Sequence, residues 1–172
     1  ASTVLADNAV INPAEGFVLG AAFLIHDLGM GIVAYNEGID ELKKTALWKD
    51  TFSSFQKKYG ETSGIDLLDK WATEVALREL HTLKAEKLAL TKWTGLDNNS
   101  VFLLEDSDLR DSYGDIIGKI ASSHGASLDE MVHMLGLDPK GAPGFLPASW
   151  IIDPVKLGCI IRVVDAINVD DR

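Results

Sequence analysis

The chain has 172 residues, 47% hydrophobic and 24% charged, enough to bury one sizeable core and close to the size of a single domain. Its formal net charge of -10 excludes a surface built to neutralise nucleic-acid phosphates, so a nucleic-acid substrate would need a local basic groove or another domain. The single cysteine, Cys159, has no partner for an internal disulfide, which fits a reducing, cytoplasmic setting.

Asn12-Pro13-Ala14-Glu15 reads as a helix start, with Asn12 as side-chain cap and Pro13 at the first helical position, where its missing N–H costs nothing. The helix is expected to run into the Gly29-Met30-Gly31 region. Its apolar stretch from residue 17 is interrupted by His26 and Asp27 and is too short for a bilayer span, so no membrane association is expected. Leu19, Ala22, Phe23 and His26 recur at helical spacing, which points His26 inward. After a loop near Asn36-Glu37-Gly38, residues 40–59 read as one or two shorter helices carrying Leu42, Leu47, Trp48, Phe52 and Phe55, closed by Gly60. Residues 65–93 lack Pro and Gly and favour one long helix by intrinsic propensity, and Asp97-Asn98-Asn99-Ser100 forms a turn. A helix over residues 108–123 places Tyr113, Ile116, Ile117 and Ile120 on one side, and His124 continues that side. Ser127-Leu128-Asp129-Glu130 matches a capping box ahead of a short helix to Leu135. The Gly- and Pro-dense segment 136–154 reads as an ordered loop, after which Pro154 opens a last helix with Leu157, Ile161 and Asp165. Strand-like alternation is nearly absent and no repeat is found, so the expectation is an all-α bundle of one domain.

A neutral imidazole and an ionised carboxylate are good ligands for divalent metals, and burying a carboxylate is costly unless a cation or hydrogen-bond donors compensate it. Adjacent His26 and Asp27 in an apolar helix are therefore notable. From these two residues alone, a core histidine beside a helix-terminal aspartate is the favoured explanation of the pair. His81, His124 and Asp165 each interrupt a further helix that is apolar on one side, and buried polar groups demand partners. Packing of those helices against the first would let the five side chains satisfy one another around a metal. The alternative for Asp165 is a buried pairing with Arg162 or with a histidine. His133 falls outside the pattern, and Trp71, Trp93 and Trp150 read as core residues rather than a base-stacking platform.

The words Phe23-Leu24-Ile25-His26-Asp27-Leu28-Gly29-Met30, Leu77-Arg78-Glu79-Leu80-His81, Ile120-Ala121-Ser122-Ser123-His124 and Ile161-Arg162-Val163-Val164-Asp165-Ala166 span nearly the whole chain. In this order they resemble the HD-domain superfamily of metal-dependent phosphohydrolases, whose members bind metal with a histidine, an adjacent His-Asp pair and a distant aspartate. Ser149-Trp150-Ile151-Ile152-Asp153-Pro154 and the final eight residues look like the HD module of bacterial proteins that also carry an Hsp90-like ATPase domain.

The resemblance implies an HD-domain helical bundle. Its metal ligands would be His26, Asp27 and Asp165, with His81 and His124 matching the added histidines of dinuclear branches, and Asp27 would also be the catalytic carboxylate between two ions. One or two divalent ions are implied, of which Mn, Fe, Co, Ni, Zn and Mg all suit mixed imidazole and carboxylate sites. Arg78, one turn before His81, and Lys119, five residues before His124, are candidates to bind substrate phosphate, against the plainer reading of solvated surface charges. The implied activity is hydrolysis of a phosphate ester or phosphodiester of the nucleotide or nucleic-acid class, with nuclease action inside a larger assembly as one variant. A non-catalytic module that senses a ligand or regulates an attached ATPase domain is the competing expectation. Residues 1–25 contain no histidine, so the motif's first histidine would lie on an upstream helix and the chain would be a fragment lacking it. Met30 stands where some dinuclear phosphodiesterase branches have Lys, which argues against direct transfer of their cyclic-dinucleotide activity.

Overall fold

A computed structural model describes residues 10–167. Among them are seven α-helices, here α1 (Pro13–Ile25), α2 (Ile39–Lys44), α3 (Ala46–Tyr59), α4 (Ile65–Leu88), α5 (Ser107–Ser122), α6 (Leu128–Leu135) and α7 (Pro154–Ile167). The fold is all-α, as the hydrophobic periodicity implies. The only sheet among the described residues is a minimal hairpin of β1 (Trp93–Thr94) and β2 (Ser100–Val101). No described helix is long and apolar enough to cross a membrane.

Helix starts follow the side chains that supply caps. Asn12 and Glu15 form a reciprocal capping box on α1, and Ser127 and Glu130 do the same on α6. The expected helical region 40–59 is two helices because the Thr45 hydroxyl accepts from the Trp48 N–H (3.2 Å) and donates to the Leu42 carbonyl (2.7 Å), ending one helix and starting the next. Aromatic contacts dock α3 on α4: Phe55 and Tyr59 meet the Trp71 ring edge-on at 5.9 and 5.7 Å.

Two expected helix ends move inward. The long helix stops at Leu88, where the Thr91 hydroxyl takes up the Lys87 carbonyl (2.8 Å), and Trp93 enters the hairpin instead. Thr91, Trp93 and Thr94 are residues that prefer extended backbone, and the partly buried Trp93 packs against the core. The first helix ends at Ile25 rather than near residue 30, and residues Leu28–Met30 form a 3-10 turn laid across α4. Gly29 makes this possible: a Cβ there would come within 2.3 Å of the His81 carbonyl oxygen.

The core is one cluster centred on α5, with Ile117 and Ile120 against Val18 and Ala22 of α1, Ala85 and Leu88 of α4, and Leu157 and Ile161 of α7. Helix α5 crosses α4 closely at Gly118, where an added Cβ would meet the Glu86 carbonyl oxygen at 2.0 Å. Segment 136–154 is ordered, as expected, by paired backbone hydrogen bonds between Lys140 and Ile152 (2.7 and 2.8 Å). Glu15, only 2% exposed, ties the starts of α1 and α7 together. Its carboxylate accepts from the Lys156 ammonium (2.7 Å), the Asp153 N–H (3.1 Å) and the Asn12 N–H (3.3 Å).

Glu15→Ala leaves a partly buried ammonium and two backbone donors without their acceptor. It should cost roughly 2–3 kcal/mol, below the full range for a buried pair because Lys156 reaches solvent. Urea unfolding of variant and wild type measures the difference.

Candidate metal centre

Four elements deliver the candidate residues to one place. His26 and Asp27 follow the end of α1, His81 stands on α4, His124 lies on the 3-10 turn Ser123–Gly125 after α5, and Asp165 lies on α7. Residues separated by up to 139 positions in the chain thus meet within a few ångströms. Asp27 is their common neighbour. Its Oδ1 lies 3.8 Å from Nε2 of both His81 and His124, and its Oδ2 lies 3.3 Å from Nε2 of His26, which in turn is 3.7 Å from Asp165 Oδ1. Two three-residue groups result, Asp27 with His81 and His124, and His26 with Asp27 and Asp165, each with ligand atoms close enough for one ion.

The three imidazoles are oriented in the same way. Nδ1 of each points at the carbonyl three residues earlier on its own turn: His26 at Phe23 (2.6 Å), His124 at Ala121 (2.6 Å) and His81 at Arg78. A carbonyl can only accept, so in the neutral ring the proton sits on Nδ1 and Nε2 is left with a lone pair. Those lone pairs face one another and the carboxylate: Nε2 of His81 and Nε2 of His124 are 3.0 Å apart. Acceptors crowded in this way could hold a cation between them. The second ring nitrogen held by a backbone carbonyl is also how histidine ligands of metals are commonly fixed.

Packing narrows the rings further. Phe23 stacks on His26 with centroids 5.1 Å apart and planes 23° from parallel, and His124 meets His26 edge-on. The His124 side chain is only 5% exposed, whereas that of Asp27 is 50% exposed. The histidines therefore form a floor and the carboxylates face the solvent. His124 is pushed below the ordinary imidazole value of 6.5, first by burial and then by its neighbours His81 and His26, with the Ala121 carbonyl and Asp165 acting the other way. Near neutral pH it is held as the uncharged ring that a metal requires.

Arg162 has a role that the sequence pattern did not reveal. Its Nη1 lies within hydrogen-bond distance of the carbonyl oxygens of Ser123 (2.9 Å), His124 (3.3 Å) and Ala126, the turn that carries His124. It is not paired with Asp165, one of the alternatives open in the sequence, because these carbonyls occupy it. The signal was present in the spacing, since Arg162 precedes Asp165 by three residues and shares its side of α7. Of the two candidate phosphate binders, Lys119 is engaged by Asp115 (2.8 Å), and Arg78 is exposed on α4, one turn from His81. His133 is exposed and stands apart from the cluster.

The family model described as HD-CE matches residues 1–172. No curated protein and no solved structure matches the chain.

Two outcomes follow from this geometry. Arg162→Ala strands carbonyls of the His124 turn and should cost roughly 1–3 kcal/mol, read by urea unfolding. Because unfolded His124 takes a proton near 6.5 and folded His124 only at lower pH, the unfolded state binds more protons in between, and stability falls as pH drops through that window. With chelator present, wild type should lose stability as pH falls below 6.5, and His124→Gln should show a shallower loss.

Proposed function

This chain belongs to the HD-CE family, and from that premise we propose that it binds divalent metal through His26, Asp27, His81, His124 and Asp165 and hydrolyses a phosphate ester or phosphodiester. The observation that carries this reading is Asp27. Its two carboxylate oxygens face two separate sets of ligand atoms, an arrangement that suits a carboxylate shared between two ions and that an imidazole cannot supply.

The donor set fits such ions. Imidazole nitrogens with free lone pairs, together with carboxylates, suit Mn, Fe, Co, Ni and Zn, and Mg through the carboxylates. When bound, divalent ions make water more acidic and neutralise charge that develops on phosphoryl oxygens. The protein's own part is positional. The carbonyls of Phe23, Arg78 and Ala121 fix the histidine rings, Arg162 fixes the turn beneath His124, and the 3-10 turn at Gly29 holds Asp27 over α4. Half-exposed Asp27 and Asp165 leave the site open to a phosphate from solvent. Exposed Arg78 is suited to take a phosphate oxygen at the edge of the site.

The nucleotide or nucleic-acid class is the broad substrate reading, and the net charge of -10 favours small nucleotides over long polyanions. The sequence words near residues 149–154 support an attached Hsp90-like ATPase domain as partner. The exposed, unpaired thiol of Cys159 suits the reducing cytoplasm.

Asp165 provides the test. In melts with added manganese the wild type should gain stability that chelator removes, whereas Asp165→Ala, which keeps only the Asp27–His81–His124 group, should gain much less. Without a cation the carboxylates mainly repel one another, so the variant's apo stability should match or exceed that of the wild type. Asp27→Ala should lower hydrolysis across a phosphoester and phosphodiester panel by at least ~100-fold. A wild-type melting temperature unmoved by chelator, with Asp165→Ala destabilised equally with and without metal, refutes the ligand assignment.

A further inference from the structure

A cleft of about 410 Å³ is lined by Met30, Glu74, Val75, Leu77 and Arg78. The elements that build it also carry the metal-ligand cluster. Met30 closes the 3-10 turn that begins just after Asp27, and Gly29 of that turn rests against the His81 backbone. On α4, Glu74, Leu77, Arg78 and His81 recur at the spacing of a single helical stripe. Along the axis, Arg78 stands roughly 4.5 Å and Glu74 roughly 10 Å from His81. Measured along α4, the cleft's lining therefore runs from Arg78, nearest the cluster, to Glu74, farthest from it.

Its chemistry changes along that line. At the near end the Arg78 guanidinium presents a planar fork of donors suited to phosphate oxygens. Met30, Val75 and Leu77 complete the lining, with side chains that have no hydrogen-bond donor to offer. At the far rim stands the Glu74 carboxylate, 3.9 Å from Lys70. An anionic group fits only the near end, since further along it would lie against apolar walls and then near a carboxylate. A neutral apolar group of ring size can bury its surface on the walls.

We infer that this cleft holds the organic group of the substrate and selects phosphate esters with a neutral, apolar leaving group of about ring size over esters of small alcohols and over polyphosphates. The inference rests on the phosphohydrolase reading. Hydrolysis breaks the bond from phosphorus to the ester oxygen, forms one from phosphorus to the oxygen of water, and leaves a water proton on the departing alcohol, so no further reactant is needed.

The manganese-loaded protein tests it with benzyl phosphate, ethyl phosphate and inorganic pyrophosphate as substrates. Calorimetry adds the binding of benzylphosphonate and methylphosphonate, which cannot be hydrolysed. Wild type should favour benzyl over ethyl phosphate in kcat/KM, and benzylphosphonate over methylphosphonate in Kd, by about tenfold or more, with pyrophosphate the poorest substrate. Met30→Trp and, separately, Val75→Phe fill the cleft and should bring both ratios towards one, each variant being checked for its helical circular dichroism. Ratios near one in the wild type, or ratios unmoved by whichever variants fold, overturn the inference. A protein that hydrolyses none of the three substrates yet keeps the benzylphosphonate preference, and loses it in the variants, supports the cleft as a ligand site and overturns the hydrolytic reading alone.

Discussion

The arrangement on which the site depends is the set of bonds that three histidines make to carbonyls of their own turns. Each bond takes the Nδ1 proton and turns an Nε2 lone pair toward Asp27. In a folded chain without a cation this is unfavourable, because lone pairs and carboxylate oxygens face one another across 3.0–3.8 Å. Such crowding of acceptors persists only where the surrounding packing over-determines it. Here it does: α1, α4 and α5 are locked by a shared apolar core, and each histidine leaves that core at a fixed helical position.

Close backbone approach supplies the rest of the constraint. Gly118 brings α5 against α4 at Glu86, and Gly29 brings the turn after Asp27 against α4 at His81. A side chain at either position would separate the elements by more than the tolerance of a metal site. Arg162 works from the opposite side, holding the His124 turn by its carbonyls from the same helix that presents Asp165. The candidate ligands are thus spaced by backbone contacts and capped carbonyls as much as by side-chain packing.

Much of this was legible in the residues. Intrinsic propensity gave the long helix that carries His81, Pro154 marked the helix that carries Asp165, and helical spacing gave the inward face of His26, while the Asn12 cap and the Ser127 capping box marked helix starts to within a residue. What the sequence did not disclose came from competing local preferences and from tertiary contacts. Propensity extended the first helix past His26, but Gly29 is there for its approach to His81, and that contact ends the helix early. Propensity likewise carried the long helix to Trp93, while the partly buried indole and its extended neighbours favour the hairpin. The Glu15–Lys156 pair was invisible because its members lie 141 residues apart, and the alternative of an Arg162–Asp165 pair did not foresee that Arg162 bonds backbone carbonyls instead.

Charge separates the two halves of the site's chemistry. The histidine floor is nearly closed to water, whereas the carboxylates stand at the solvent edge of a protein with 26 acidic and 16 basic residues. Such a surface concentrates small divalent cations and discourages long polyanions, by the same long-range field. A phosphate can approach only where local positive charge offsets that field. On the proposed reading that place would be beside Asp27, where divalent ions would be held, with Arg78, exposed on α4 one turn from His81, as the nearby protein cation. On that same reading the acidic surface would favour a substrate with a single phosphate and an uncharged remainder.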